Sequence, residues 1–239
     1  LEQLSSAEVG NPSSIHSHGR KGKNLLEGAR QQIASCLGVQ AQEIYFTSGA
    51  TESNNLAIKG ICERLEKGRI VISSVEHPSV INTVNQLKEC GWDVQFWPVD
   101  NKGIVNLNLI DNMLSPPTKY VSVIWGQSEI GSIQPINIVA RACKERNIIF
   151  HTDATQVLPN GLIDWNNLEV DLLSASAHKL QGPKGIGLLI LKNHLKEIIK
   201  PIIAGGQQEN SIRSGTEAVP LIAGFATALN LINDNIIFK

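Results

Sequence analysis

From Tyr45 onward, short runs rich in β-branched residues alternate with segments whose apolar residues recur at helical spacing. The runs predict strands at residues 69–75, 94–99, 120–125, 148–151, 171–176 and 186–191. Helices are predicted at residues 79–89 and 134–147, the second with an apolar face made of Ile138, Val139, Ala142 and Cys143. This alternation is typical of an open, mostly parallel sheet flanked by helices. Ligands of such sheets bind beyond the carboxyl ends of the strands, so we expect the chemistry at that edge.

Composition narrows the class of protein. A chain of 239 residues that is 42% hydrophobic can bury a sizeable core. With a formal net charge of -1, the chain has no overall electrostatic attraction to nucleic acid or to an anionic membrane. No apolar run is long enough to span a bilayer. We therefore expect a globular cytoplasmic protein with neither nucleic-acid nor membrane partners.

The four cysteines are scattered and form no C-x-x-C pair, which argues against a zinc ribbon or a dense disulfide framework. No metal site is predicted. Cys36, Cys62 and Cys143 lie in helical apolar patterns, where a thiol is expected to act as a small buried hydrophobe. Cys90 lies at a predicted helix end, before Gly91.

Four polar clusters follow strand-like runs. The first, at residues 46–53 (FTSGATES), combines a strand end, a turn of small residues and a helix start. The free N–H groups and the dipole of a helix N-terminus favour an anion such as phosphate. Serine and threonine also cap ordinary helices, so this motif alone is weak evidence.

Each of the other three clusters also has a plain structural explanation. His77, at the start of a helix, could lay its ring against an aromatic cofactor or simply be a polar residue there. Asp153 follows a very apolar strand and needs a cationic or hydrogen-bond-donating partner. Lys179 lies between a strand and a Gly-Pro-Lys-Gly loop, and the pKa of a lysine shifts easily enough for Schiff-base chemistry with a carbonyl cofactor, although a lone lysine there is normally solvated.

Taken together, the four clusters supply what pyridoxal 5′-phosphate (PLP) requires: a phosphate cradle, a ring stack, an acid for the pyridine nitrogen and an amine for the aldehyde. Their order along the chain resembles that of the cysteine desulfurases, which are NifS-like, class V, fold-type-I PLP enzymes. The matching runs are NPSSIH (11–16), TSGATESNN (47–55), EHPSV (76–80), HTDATQ (151–156), SASAHKLQGPKGIG (174–187), AGGQQE (204–209) and RSGT (213–216). The resemblance extends from Gly10 to about Gly224.

The resemblance implies the α/β large domain of that fold type, a mostly parallel sheet flanked by helices. Residues 1–20 would form an N-terminal segment and residues 21–224 the PLP-binding domain. Residues 225–239 would begin the connection to a smaller C-terminal domain that this chain does not contain.

The resemblance also assigns roles to individual residues. Lys179 would form the Schiff base with PLP and act as the base, Asp153 would pair with the pyridinium nitrogen, and His77 would stack on the ring. The remaining contacts would be Gln156 to the phenolic oxygen, Ala50, Thr51, Ser176 and His178 to the phosphate, and Thr216 to the phosphate of a neighbouring subunit.

The implied activity is conversion of L-cysteine to L-alanine, with sulfur passed as a persulfide toward iron–sulfur cluster or thio-cofactor assembly. The implied partners are a second copy of the chain, in a homodimer, and a sulfur-acceptor or scaffold protein. Two features depart from the family. Ser128 stands where an asparagine is usual, and none of the four cysteines matches the nucleophile, which family members carry in the C-terminal domain.

Two other functions stay open at this point. One is another class V reaction, such as selenocysteine lysis, cystine lysis or transamination, which would use the same Lys179, Asp153 and His77. The other is a truncated, non-catalytic chain that binds PLP or serves as an interaction partner.

Overall fold

A computed structural model describes residues 10–161 and 165–237. Its sheet has seven strands in the order β1-β7-β6-β5-β4-β2-β3. The strands are β1 (Ile44–Thr47), β2 (Arg69–Ser73), β3 (Asp93–Trp97), β4 (Thr118–Ser122), β5 (Ile149–Asp153), β6 (Leu172–Ser176) and β7 (Gly187–Leu191). The α-helices are α1 (Ser17–Leu37), α2 (Ala50–Cys62), α3 (Pro78–Glu89), α4 (Ile110–Met113), α5 (Ile136–Lys144) and α6 (Val219–Ile237).

The sheet is mostly parallel, as the sequence predicts, and β7 is the exception. It runs antiparallel to both of its neighbours, β1 and β6. Residues 177–186 join β6 to β7, and a parallel crossover needs a dozen or more residues, so this connection is too short for one. The carboxyl ends of β1, β5 and β6 therefore lie at one edge of the sheet, together with the start of β7.

Helices cover both faces of the sheet. Side chains alternate across a strand, so on β7 Leu188 and Ile190 pack on one face while Leu189 and Leu191 pack on the other. The first face is covered by α1, α5 and α6, and the second by α2 and α3. Within the described residues, no helix is both long enough and apolar enough to cross a bilayer.

Two sequence predictions about buried residues have different outcomes. Cys62 and Cys143 are buried as predicted, while Cys36 is only partly buried. The predicted apolar face of α5 is wrong at Ile138, which is 53% exposed. At 100° per residue, Ile138 lies 200° around the helix from the buried Ile136, which places it on the solvent side.

Candidate active site

A cavity of about 520 Å³ opens at the carboxyl edge of the sheet. All four predicted polar clusters contribute to its walls, and the predicted residues among them are Ala50, Thr51, His77, Asp153, Gln156, Ser176, His178 and Lys179. Thr216 is exposed and lies outside this lining. The resemblance assigns Thr216 to a neighbouring subunit's site, and that assignment stays a prediction.

The N-terminus of α2 forms one wall of the cavity. Its N-cap is Gly49, which has no side chain to accept from the first N–H groups of the helix, those of Ala50 and Thr51. A Cβ atom on Gly187 of β7 would lie 2.6 Å from both Cα and C of Gly49. Because Gly187 has no side chain, the turn at Gly49 can pack directly against β7. The N–H groups of Ala50 and Thr51 at this turn remain available to an anion.

Asp153 ends β5 with its side chain almost fully buried. Its Oδ1 accepts the backbone N–H of Thr155 at 3.0 Å, and its Oδ2 accepts the side-chain amide of Asn54 on α2 at 2.7 Å. These two donors orient the carboxylate at the cavity wall without neutralising it, so the acid can still pair with a cationic ring nitrogen.

His77 is the N-cap of α3, and Pro78 occupies the first helical position. The backbone N–H of Ser79 donates to His77 Nδ1 at 3.1 Å, and Ser79 Oγ lies 2.7 Å from the same nitrogen. These contacts fix the orientation of the ring at the helix start. The exposed ring itself lines the cavity, where it could lie against a flat ligand.

Lys179 lies in the 3-10 turn Ala177–Leu180, which directly follows β6. It is exposed, and a second lysine, Lys184, also lines the cavity. His178 Nδ1 lies 2.6 Å from Ser176 Oγ. Partial desolvation, followed by the positive charges of the two lysines, lowers the pKa of His178.

One acid in the lining is already paired. Glu52, in the first turn of α2, accepts from Arg213 Nε at 2.8 Å and from the Ser48 N–H at 2.8 Å. Burial alone would raise the pKa of Glu52, but these hydrogen bonds outweigh it and the net pKa is lowered. The pair holds the loop that carries Arg213 and Thr216 against the cavity wall.

Several groups behind the cavity were not predicted from the sequence. Buried His151 lies between Ser122 Oγ at 2.8 Å and Ser174 Oγ at 3.0 Å, and burial lowers its pKa to about 4. It therefore bridges β4, β5 and β6 as a neutral ring. Glu76 is also buried, and its Oε1 accepts from Ile124 N at 2.6 Å and from a neighbouring serine hydroxyl.

Glu76, Asn54 and Ser79 all occur inside the quoted runs TSGATESNN and EHPSV. Their residue types gave no signal of these contacts, because Asn54 meets Asp153 and Glu76 meets Ile124, partners that are distant along the chain.

Two further observations bear on what the cavity could hold. The Thr155 hydroxyl is buried at its wall and has no hydrogen-bond partner among the described residues, so a bound molecule could satisfy it. Ser128, which the resemblance places where an asparagine is usual, also lines the cavity. Among residues 10–161 and 165–237, no group of three or more His, Cys, Asp or Glu side chains could hold a metal ion.

The chain matches the family Aminotransferase class-V over residues 1–239. It is 44% identical over 226 residues to cysteine desulfurase IscS of Dictyoglomus turgidum, covering 94% of this chain and 57% of that protein. It is 42% identical over 239 residues to putative cysteine desulfurase IscS 1 of Bacillus subtilis, covering 98% and 62%. The chain thus spans about 60% of the length of these curated relatives.

Solved structures agree with the sequence comparisons. A NifS-like protein matches with a TM-score of 0.93 and 37% identity, over 98% of this chain and 64% of that one. A structure described as SspA in complex with cysteine matches with a TM-score of 0.90 and 39% identity, over 96% and 67%. The predicted fold class, the large domain of the fold-type-I PLP-dependent enzymes, is confirmed. The chain belongs to the class V aminotransferase family.

Proposed function

We propose that this chain is the PLP-binding part of a cysteine desulfurase, which converts L-cysteine to L-alanine and passes the sulfur on as a persulfide. A single observation carries the proposal. One cavity at the carboxyl edge of the sheet gathers an amine, a buried carboxylate, an imidazole ring and a helix N-terminus, contributed by Lys179, Asp153, His77 and α2.

PLP fits the donors of this cavity. The N–H groups at Ala50 and Thr51, with Ser176 and His178 beside them, suit its phosphate, and the Lys179 amine would hold its aldehyde. Asp153 would hold the proton of the pyridine nitrogen, and Gln156 would reach the phenolic oxygen. The orphaned Thr155 hydroxyl offers one more polar contact. When bound, PLP supplies an electron sink for the carbanion left by removal of the substrate's α-proton.

The protein's own residues would divide the remaining work. The Asp153 carboxylate, held in place by Asn54 and Thr155, would pair with the pyridine nitrogen. The Lys179 Nζ, when it is not bonded to the cofactor, would be the base within the cavity that accepts the substrate's α-proton. His77 would cover one face of the ring. Asp153 and His151 are both almost fully buried, so little of the surface of the acid is in contact with solvent.

The wider assignments belong to the same proposal. The substrate is L-cysteine, the assembly is a homodimer in which Thr216 serves the neighbouring site, and the compartment is the cytoplasm. A sulfur-acceptor or scaffold protein for iron–sulfur cluster or thio-cofactor assembly would receive the persulfide. The division into residues 1–20, 21–224 and 225–239 is likewise proposed.

Trapping with borohydride tests the cofactor assignment. Mixed with PLP and reduced, the chain should carry the pyridoxyl group on Lys179, located by peptide mapping, because this lysine follows β6 directly and faces the cavity. Lys184 lines the same cavity and is the internal comparison. A pyridoxyl group on Lys184 in the parent chain would disprove the assignment, and Lys179→Ala should abolish the label.

A substrate panel separates the proposed reaction from other class V reactions. The full-length gene product should form alanine and persulfide from L-cysteine faster than it acts on L-selenocysteine, L-cystine or an amino donor with a keto acid. A preference for any of those three would replace the desulfurase assignment while leaving the PLP site intact.

A further inference from the structure

We propose that Asn54 and Ser79 are positioning residues that join Asp153 to His77 in one hydrogen-bond chain and fix the His77 ring as the tautomer with its proton on Nε2. The roles of Asp153 and His77 rest on the proposed function. The hydrogen-bond chain itself is a property of the protein without cofactor. It can be followed proton by proton, starting from the carboxylate.

The first link fixes the orientation of an amide. Asp153 Oδ2 lies 2.7 Å from Asn54 Nδ2, and a carboxylate can only accept. The opposite amide orientation would place Asn54 Oδ1 against that carboxylate, oxygen to oxygen. Asn54 is fully buried, and its Oδ1 has no partner among the described residues, whereas Nδ2 has two. In this orientation both N–H groups of Asn54 Nδ2 have acceptors, while Asn54 Oδ1 has no partner among the described residues.

The second link sets the direction of a hydroxyl. Asn54 Nδ2 also lies 2.9 Å from Ser79 Oγ, so its second proton is donated there. Ser79 Oγ then has its own proton left to donate, and His77 Nδ1 lies 2.7 Å away. The donors therefore run outward from Asn54 in both directions, to Asp153 on one side and through Ser79 to His77 on the other.

The third link fixes the tautomer. The backbone N–H of Ser79 donates to the same His77 Nδ1 at 3.1 Å, and a backbone N–H cannot reverse its direction. Two donors therefore converge on Nδ1, which must accept, so the neutral ring carries its proton on Nε2. His77 lines the cavity, which makes Nε2–H a hydrogen-bond donor available to a molecule bound there. The cavity thus has an acceptor at Asp153 and a donor at His77, with Asn54 orienting both.

Nitrogen NMR of the chain without cofactor tests the tautomer directly. The six histidines are labelled with ¹⁵N in the ring, and the His77 signals are those that vanish in His77→Gln. Over a pH series, the neutral limit of His77 should show an unprotonated Nδ1 and a protonated Nε2. In Ser79→Ala the hydroxyl donor is lost and only the backbone N–H remains, so the ratio of Nε2–H to Nδ1–H tautomer should fall about fivefold, the usual effect of one hydrogen bond.

Matched variants test whether the change in the His77 signals comes from loss of the hydrogen-bond chain. Ser79→Thr keeps a hydroxyl and should restore the parent pattern, and Asn54→Ala should shift the His77 signals in the same direction as Ser79→Ala. The control is Ser35→Ala, because that exposed serine bonds only within α1, to Gln31 O. A parent His77 with its proton on Nδ1, or His77 signals unchanged in Ser79→Ala with its circular dichroism intact, would overturn the proposal.

A PLP titration of the same samples keeps the two proposals apart. If the parent chain shows the Nε2–H tautomer but binds no PLP, the proposed function fails and the hydrogen-bond chain stands. If PLP binds and is trapped on Lys179, but the tautomer ratio of His77 is the same in Ser79→Ala as in the parent, the hydrogen-bond chain fails and the proposed function stands.

Discussion

Among single residues, Glu76 stands out because burial raises its pKa to about 8 from an ordinary 4.5. The folded protein then keeps this carboxyl protonated at pH values where the unfolded chain ionises it. The unfolded state binds fewer protons between these two values, so the free energy of unfolding should fall as pH rises from about 4.5 to about 8. At about 1.4 kcal/mol per pKa unit, the full effect is on the order of 5 kcal/mol.

Glu76→Gln tests this dependence, because glutamine keeps the acceptor for Ile124 N and cannot ionise. Urea denaturation at several pH values should give a free energy of unfolding that falls less steeply with pH in the variant than in the parent. The comparison uses slopes, so a constant cost of burying the new amide does not affect it. Equal slopes would mean that Glu76 is ionised in the folded protein.

At this residue scale the sequence predicted which side chains meet, through strand ends and ordered motifs. Eight of the nine predicted cofactor-binding residues line one cavity, with Thr216 apart. The sequence could not predict how those side chains are held. Asn54 contacts a residue 99 positions away, and Glu76 one 48 positions away, and such pairs arise only from the folding of the sheet.

At the scale of elements, the contact between β7 and the start of α2 decides the shape of the phosphate-binding turn. A Cβ on Gly187 would meet only backbone there: Gly49 at 2.6 Å and Ala175 O at 2.7 Å. We expect Gly187→Ala to push α2 away from the sheet, at a cost of about 1–3 kcal/mol in the free energy of unfolding. Affinity for PLP, followed by absorbance titration, should fall with it, because the N–H groups of the turn move.

Gly28→Ala is the matched control for this change. Gly28 lies inside α1, and a Cβ there would meet nothing within 4 Å. Alanine is a better helix former than glycine, so this variant should gain about 0.4–1 kcal/mol and bind PLP like the parent. A Gly187→Ala protein as stable as the parent would show that β7 can move away from Gly49 without a cost in the free energy of unfolding.

The sequence predicted most elements to within two or three residues, because their β-branched runs and helical spacing are clear. The pattern predicted a mostly parallel sheet but did not indicate that β7 runs antiparallel to its neighbours. The reversal of β7 follows from the short 177–186 connection, a geometric limit that the alternation of apolar residues does not encode. Ile138 was misplaced for a similar reason: apolar character does not reveal which side of α5 meets the sheet.

At the scale of the whole molecule, the positions of the cysteines bear on the proposed reaction. Cys62 and Cys143 are buried, and burial raises the pKa of both thiols, which disfavours the reactive thiolate. Cys36 bonds Asn230 between α1 and α6. Cys90 is exposed but caps the far end of α3, roughly 18 Å along the helix from the cavity at 1.5 Å per residue.

From these positions we expect the 239-residue chain alone to bind PLP but to release no sulfide from L-cysteine above a free-PLP control. Binding requires only the groups gathered at the carboxyl edge of the sheet, whereas desulfuration also requires a thiolate that can reach the substrate sulfur. The measurement pairs the absorbance of the PLP complex, before and after borohydride, with a sulfide assay in the presence of a reductant. Sustained PLP-dependent sulfide release would contradict the expectation. Cys90→Ser would then show whether the one exposed thiol is responsible, since the other three thiols would have to leave packed or hydrogen-bonded positions to react.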